Sequence, residues 1–285
     1  MRTPSILFSA PLLLALGCAT PRTEVRRSSL MGYLYPKAAE APKPDPAGAR
    51  LQLPLKLGIV FVPGGTAGWR NDTVVPAHAE RPLLDTVRGA FKDRPWVGDI
   101  KIIPSAYLRA GGGFENLDQA SRMFGVDVIA LVSVDQIQQT DPKWYSFTYL
   151  SILGAFVVPA EHNSTRTLID AAVFHVPTRT FLLRAPGQSF IKGSTTLVAQ
   201  GELLRRDAGE GLKLAMVELG KNLDAEVVGF KAEVASGVRK DVDVVDRSGQ
   251  SLQQTGGRGW GGALGAWEVV GAGLLLLLVR RRDAR

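Results

Sequence analysis

Two long apolar runs stand at the ends of this chain, and each has the flanks of a segment bound for a membrane rather than for a protein core. Ile6–Leu16 follows a basic start at Arg2 and closes on Leu14, Ala15, Leu16, Gly17 and Cys18. At the other end a glycine-rich stretch leads into the apolar span Gly262–Val279, which stops at Arg280, Arg281 and Arg282. Such a span covers roughly 27 Å as a helix, just enough for a bilayer core. A water-soluble core must come from what lies between. The chain therefore divides into a signal peptide (1–17), a lipidated N-terminus and tether (18–50), one α/β domain (51–236), a flexible spacer (237–260) and a sorting tail (261–285).

A positive start, an apolar stretch and small residues before a cysteine describe a lipoprotein signal peptide. Small residues at that place let a peptidase accept an extended backbone, and Cys18 then becomes the acylated first residue of the mature chain. An ordinary secretory signal with a cysteine by chance is the alternative, and Ala15, where leucine is commoner, fits the lipobox least. Each buried methylene of an acyl chain adds about 0.8 kcal/mol, so several chains on one residue anchor it stably. Ala19, rather than aspartate, after the cysteine directs the protein to the outer membrane. Cys18 is the single cysteine of the chain, so no disulfide and no cysteine-based metal site forms within one copy.

Arg280–Arg282 would hold the far end of the C-terminal span in the cytoplasm, with the body of the protein outside. Glu268 is the odd residue there, since a carboxylate deep in a bilayer costs about 2–3 kcal/mol. A permanent transmembrane anchor would duplicate the lipid, so the tail reads as a processing signal.

Three stretches are similar to the rhombotarget lipoprotein family: the Cys18 box followed by Ser28–Pro36 (SSLMGYLYP), the block Ile102–Asp141, and the tail from Gly261. The likeness runs from residue 18 to about residue 230. It implies that Gly261 and Gly262 belong to a tail recognised by a rhombosortase, a rhomboid-type intramembrane serine protease. It implies no catalytic residue, because the family is named for being a substrate.

The formal charge of +7 does not point to nucleic acid. Arg2 carries one unit and residues 258–285, with five basic and two acidic side chains, carry three more, so residues 19–257 keep only +3. A nucleic-acid binder needs a basic face with interleaved aromatics in the folded part. The expected partners are the bilayer, a rhombosortase-type protease and other envelope proteins.

Residues 37–50, rich in proline and alanine, read as an extended tether. Leu55–Pro63 is a continuous branched apolar run stopped by a proline, the pattern of a buried strand. Leu83, Leu84, Val87, Ala90 and Phe91 have helical spacing, with Pro82 placed in the first turn. Asp99–Pro104 reads as a second strand. Asn116 is placed as the cap of a helix carrying Leu117, Ala120 and Phe124, with Gly125 as its stop, and Val126–Val134 as a third strand. Thr167–Val176 and Phe181–Phe190 flank residues 177–180 as an antiparallel hairpin. Leu203–Val234 is a long amphipathic helix or two joined ones, with Gly209, Gly211 and Gly220 arguing against continuity. The expected fold is α/β with a small mixed sheet and flanking helices, with a core that includes Ile59, Phe61, Ile102, Phe124, Val128, Leu131 and Phe174. This order resembles the N-terminal domain of the Tol-system beta-propeller protein and the curli-secretion lipoprotein in topology, which does not settle function.

Little catalytic chemistry is legible. His78 and His162 fall in expected loops and His175 at a strand end, with no metal-ligand spacing. Ser105, Ser133 and Ser189 have no nucleophile elbow around them. Gly64, Gly65 and Gly68 follow a strand but lack dinucleotide spacing. Gly111–Gly113 precede a helix that could receive an anion, or simply form a tight loop. Asp127, Asp135 and Asp170 lie on strands, where structural hydrogen bonding competes with acid–base work. No cofactor, metal or catalytic residue is assigned. Trp144–Pro159 is apolar and free of charge over sixteen residues; it is either a strand buried on both sides or a surface for membrane or partner. The functional expectation is an exported, non-enzymatic envelope lipoprotein that binds or assembles with other proteins. The alternatives are a pore or ring subunit of the curli-secretion kind and an enzyme with dispersed site residues.

Overall fold

A computed structural model describes residues 22–36, 45–64, 75–142, 161–195 and 200–252. The expected features at Cys18, residues 37–44, Gly65 and Gly68, Trp144–Pro159 and the tail with Gly261 and Gly262 lie outside the described residues. In chain order the elements are β1 (Arg22–Arg27), α1 (Leu30–Leu34), β2 (Ala49–Gln52), β3 (Leu55–Phe61), α2 (Ala77–Phe91), β4 (Val97–Ile102), α3 (Gly113–Phe124), β5 (Val128–Pro142), β6 (Glu161–His175), β7 (Thr180–Thr195), α4 (Gln200–Ala235) and β8 (Val242–Val245).

The architecture is mixed α/β. The main sheet runs β4-β3-β5-β6-β7, with β1 paired to β5 beyond the end of β3. β3 is parallel to β4 and β5, whereas β5–β6, β6–β7 and β1–β5 are antiparallel. β3 and the first half of β5 are covered on both faces, which is why both read as unbroken apolar runs. On one face Ile59, Phe61, Val128, Ala130, Val132 and Ile169 pack against α2 and α4. On the other, Val60, Ile129, Leu131 and Phe174 pack against α1 and α3, with Tyr33, Phe114 and Leu117. Of the expected core, Ile59, Phe61, Val128, Leu131 and Phe174 are buried, while Ile102 and Phe124 are half-buried at its margins.

Beyond Val134 the strand β5 changes character. Its inward side chains become Gln136, Gln138 and Thr140, all buried. The Gln136 Nε2 donates to Thr167 Oγ1 (2.9 Å) and to the Ala208 carbonyl (3.0 Å). Gln138 Nε2 does the same with Thr165 Oγ1 (3.0 Å) and the Leu204 carbonyl (2.8 Å). The Ser189 hydroxyl reaches the Gly211 carbonyl at 2.8 Å. The first half of α4 is thus seated on polar side chains that bond one another and the helix backbone, with the Gln136 Oε1 and the Asn163 amide buried without a partner among the described residues. Its second half, from Leu212 through Leu223, is seated on apolar ones.

Three details depart from the sequence reading. The fold reaches past both expected boundaries of 51–236: β1 adds a strand to β5, Tyr33 and Leu34 enter the core, and β8 pairs in parallel with β2. Val242 and Val244 are buried there, so part of the expected tether and spacer is held by apolar burial. α2 starts at Ala77, putting Pro82 inside it; the hydrogen bond that Pro82 cannot give is lost at the exposed start of the helix, where the cost is least. Asn116 is not a cap. It lies inside α3, buried, where Oδ1 accepts the Arg109 N–H at 2.7 Å and Nδ2 donates to the Tyr107 carbonyl at 3.2 Å. Of the two readings of Leu203–Val234, one long helix or two joined ones, the first holds, since α4 is continuous through its glycines, and Gly125 ends α3 in the left-handed conformation (φ 62°) as expected.

Candidate functional site

The three histidines lie apart. His78 is exposed in α2 and His162 is exposed in β6, where the sequence placed both in loops. His175 ends β6 and is buried, its Nδ1 2.7 Å from Thr178 Oγ1. Twelve strand residues lie between His162 and His175, which places them roughly 43 Å apart along the strand. No group of three His, Cys, Asp or Glu side chains that could hold a metal occurs among the described residues.

Burial pushes the His175 pKa below its ordinary 6.5, with the charge of Asp127 pulling the other way. The unfolded chain then takes up this proton at a higher pH than the fold does. The stability that neutral His175 contributes is full above a pH of about 6.5 and is lost as the pH falls through the window below it. His175→Asn is expected to flatten that acid-side fall, read as urea midpoints between about pH 7.5 and 5; an unchanged slope would contradict it.

Asp127 is exposed, whereas Ser105, Ser133, Ser189, Asp135 and Asp170 make structural contacts. Ser105 bonds to the Glu80 carboxylate through both its N–H and its hydroxyl. The Ser133 hydroxyl donates to the Asp170 carbonyl at 3.3 Å, and Ser189 holds α4 as described. Asp135 is paired with Arg27 at 2.7 Å and Asp170 with Arg184 at 2.6 Å. Gly111 and Gly113 take positive φ (67° and 63°), making the tight loop that leads into α3. Tyr33, whose pKa burial pushes up, sits with its hydroxyl 3.4 Å from Asn116 Oδ1 and stays a neutral core residue.

An apolar cleft opens between β3, α2 and the second half of α4, walled by Leu55, Leu57, Phe91, Trp96, Leu223 and Phe230 among others. It encloses about 70 Å³, well below the roughly 300 Å³ at which small-molecule sites begin. Its walls offer no polar atom to orient a ligand, so it is a packing gap at the rim of the core.

The residues that the register brings together are on the sheet face opposite α4, where α1 and α3 do not reach. Val25, Ile137, Arg166 and Phe190 are successive partners across β1, β5, β6 and β7. One flanking row is Arg27, Asp135, Leu168 and Gln188, and the other is Thr23, Gln139, Ser164 and Lys192. Four strands at strand spacing make a patch roughly 14 Å wide. Val25, Leu168 and Phe190 are 53%, 45% and 49% exposed. Arg166 and Lys192 each lie 5.0 Å from the centre of the Phe190 ring. Arg27 is neutralised by Asp135, and neither Arg166 nor Lys192 has a carboxylate partner among the described residues, but the Glu218 carboxylate accepts the Gln188 N–H at 2.8 Å at the margin of the patch, leaving it at +1. A shallow hollow of about 680 Å³ lies beside Ile137, Arg166, Leu168 and Phe190 and is also lined by Glu218 of α4. An open face of this composition is suited to holding a surface. The outward alternation of Arg166, Leu168 and Asp170 was its only trace in the sequence; which residues on other strands stand beside them follows from register alone.

The chain matches no family model and no curated protein. Among solved structures it is similar to a PelC dodecamer from Paraburkholderia phytofirmans, at 13% identity and a TM-score of 0.27, covering 70% of this chain and 99% of that one. A Xanthomonas campestris protein of family DUF330 is 13% identical with a TM-score of 0.31, covering 68% and 95%. Lipoprotein GNA1162 from Neisseria meningitidis is 10% identical with a TM-score of 0.22, covering 57% and 96%. At such values the reading of this chain rests on its own residues.

Proposed function

We propose that this protein is an exported envelope lipoprotein, anchored through acylated Cys18, whose body binds or assembles with other envelope components and catalyses no reaction. Its tail is removed by a rhombosortase-type protease acting near Gly261 and Gly262, which leaves the lipid as the anchor at the outer membrane or cell surface. The observation that carries this reading is the way the N-terminus enters the fold. Arg22, the first residue of β1, comes four positions after Cys18 and pairs with Thr140 near the end of β5. The chain thus passes from its lipobox almost directly into the central sheet, as a body held close to a membrane requires.

Replacing Cys18 with Ser tests the anchor. The variant is expected to remain an unprocessed precursor or, once its tail is removed, to leave the membrane fraction completely on washing with concentrated salt, which strips electrostatic contacts but not acyl chains. A tail-less Cys18→Ser protein that resists the wash would overturn the lipid anchor.

One feature favours a second reading, a ring or pore subunit. The charge-free stretch Trp144–Pro159 joins β5 to β6 at the same end of the sheet where β1 begins. Native mass in detergent separates the two: a single copy fits the binding factor, a closed ring the pore subunit.

A further inference from the structure

We infer that the open sheet face built on Val25, Ile137, Arg166 and Phe190 lies on the surface of an anionic lipid bilayer, so that the domain rests on its sheet with α4 turned away from the membrane. The inference rests on the lipid-anchor reading above and adds to it an orientation and a lipid class.

Three independent observations meet at this face. Its composition is that of an interfacial surface: exposed apolar side chains on neighbouring strands, and an aromatic ring with a basic side chain 5.0 Å away on each of two sides. Arg and Lys stems cover apolar surface while their charged ends stay in water, which suits them to the headgroup layer. Its charge points to the partner. The patch carries +1 with Glu218 counted at its margin, whereas the rest of α4, on the opposite side of the sheet, carries six acidic and five basic residues. A domain polarised in this way turns its sheet toward an anionic surface and its helix away from it. Its position supplies the bilayer, because four residues reach at most about 14 Å and so keep the start of β1, the strand that forms one side of the patch, within that distance of an acylated Cys18. Anything else occupying the face would have to fit between sheet and membrane.

Each basic side chain at an anionic surface is worth about 1 kcal/mol, or about fivefold in population. Arg166 and Lys192 together should favour the sheet-down orientation by about 30-fold. The acyl chains set whether the protein is on the membrane, and this face sets how it lies there.

The test uses the full lipidated protein, whose acylation leaves no free native thiol. An environment-sensitive fluorophore is placed at Gln188→Cys on the open face or at Val228→Cys on α4, 62% exposed. The protein is reconstituted into phosphatidylcholine vesicles with or without phosphatidylglycerol, both carrying nitroxide-labelled headgroups. The expected result is strong lipid quenching at Gln188→Cys and little at Val228→Cys, growing with phosphatidylglycerol. The pair Arg166→Gln and Lys192→Gln should bring the Gln188→Cys signal down to the Val228→Cys level. Equal quenching at both sites, or indifference to anionic lipid, overturns the inference. So does a Gln188→Cys site that is shielded in native membranes but unquenched by lipid, the mark of a protein covering the face. Intact mass of the same sample keeps the two readings apart: without acyl mass at Cys18 the anchor fails, and with acyl mass but no quenching contrast only the orientation fails.

Discussion

Gly187→Ala is expected to destabilise the domain by about 3 kcal/mol, the upper end for an overpacked contact. A Cβ at Gly187 would run into the Ala215 carbonyl and stand 2.7 Å from the Leu219 backbone nitrogen. Both are helix backbone and cannot rotate aside, so α4 itself would have to lift. Ala215 and Leu219 are fully buried, and moving them opens the largest helix–sheet contact in the fold. Gly209, in the same helix, supplies the control. A Cβ there meets nothing within 4 Å, so Gly209→Ala should stabilise the protein by up to about 1 kcal/mol through helix propensity. Urea midpoints at constant slope read both changes. An unshifted midpoint for Gly187→Ala would mean that α4 does not lie on β7 as described.

Leucine in place of both Gly261 and Gly262 is expected to abolish removal of the tail. A rhomboid-type protease has to draw substrate out of helix into its active site, and each glycine weakens a helix by about 1 kcal/mol relative to alanine. On the proposed reading, Gly256, Gly257, Gly259, Gly261 and Gly262 would make the entrance to the span weak, while Leu274–Leu278 would hold its far end in the bilayer. Cutting is expected between Gly256 and Gly265. The described fold ends at Leu252, and the ten residues on to Gly262 reach at most about 36 Å, so the body and the site of cutting stay close together. Intact mass of the protein from its own membranes decides: a major species still ending in Arg285 would falsify processing, and the doubly substituted protein should keep that end.

Elements with a strong period are legible in the residues themselves. The apolar run around Ile59, the run around Leu131, the hairpin about residues 177–180 and the long helix are all present in the fold. Short elements that depend on distant partners are not legible in this way. Arg22–Arg27 alternates no apolar residues and becomes a strand only because the far half of β5 offers it a free edge. Val242–Val245 is too short to declare itself and is held by Ala49–Gln52, almost two hundred residues away. Asn116 has the identity of a helix cap, yet burial made it the tie for the Tyr107–Arg109 turn.

What the residues alone determined about this protein is local: where the chain alternates, where Gly125 stops a helix, which runs must be buried, and which ends have the pattern of membrane signals. These follow from periodicity and conformational preference over a dozen residues or fewer. Tertiary structure decided which glycines matter and what stands beside what. Gly209 and Gly211 are indistinguishable in sequence, but one faces open space and the other lies against Thr167. Arg166 and Phe190 are ordinary outward residues on separate strands until the β6–β7 register places them side by side. A one-residue slip in that register would send every such side chain to the other face; the open basic face exists only because long-range burial pins the pairing.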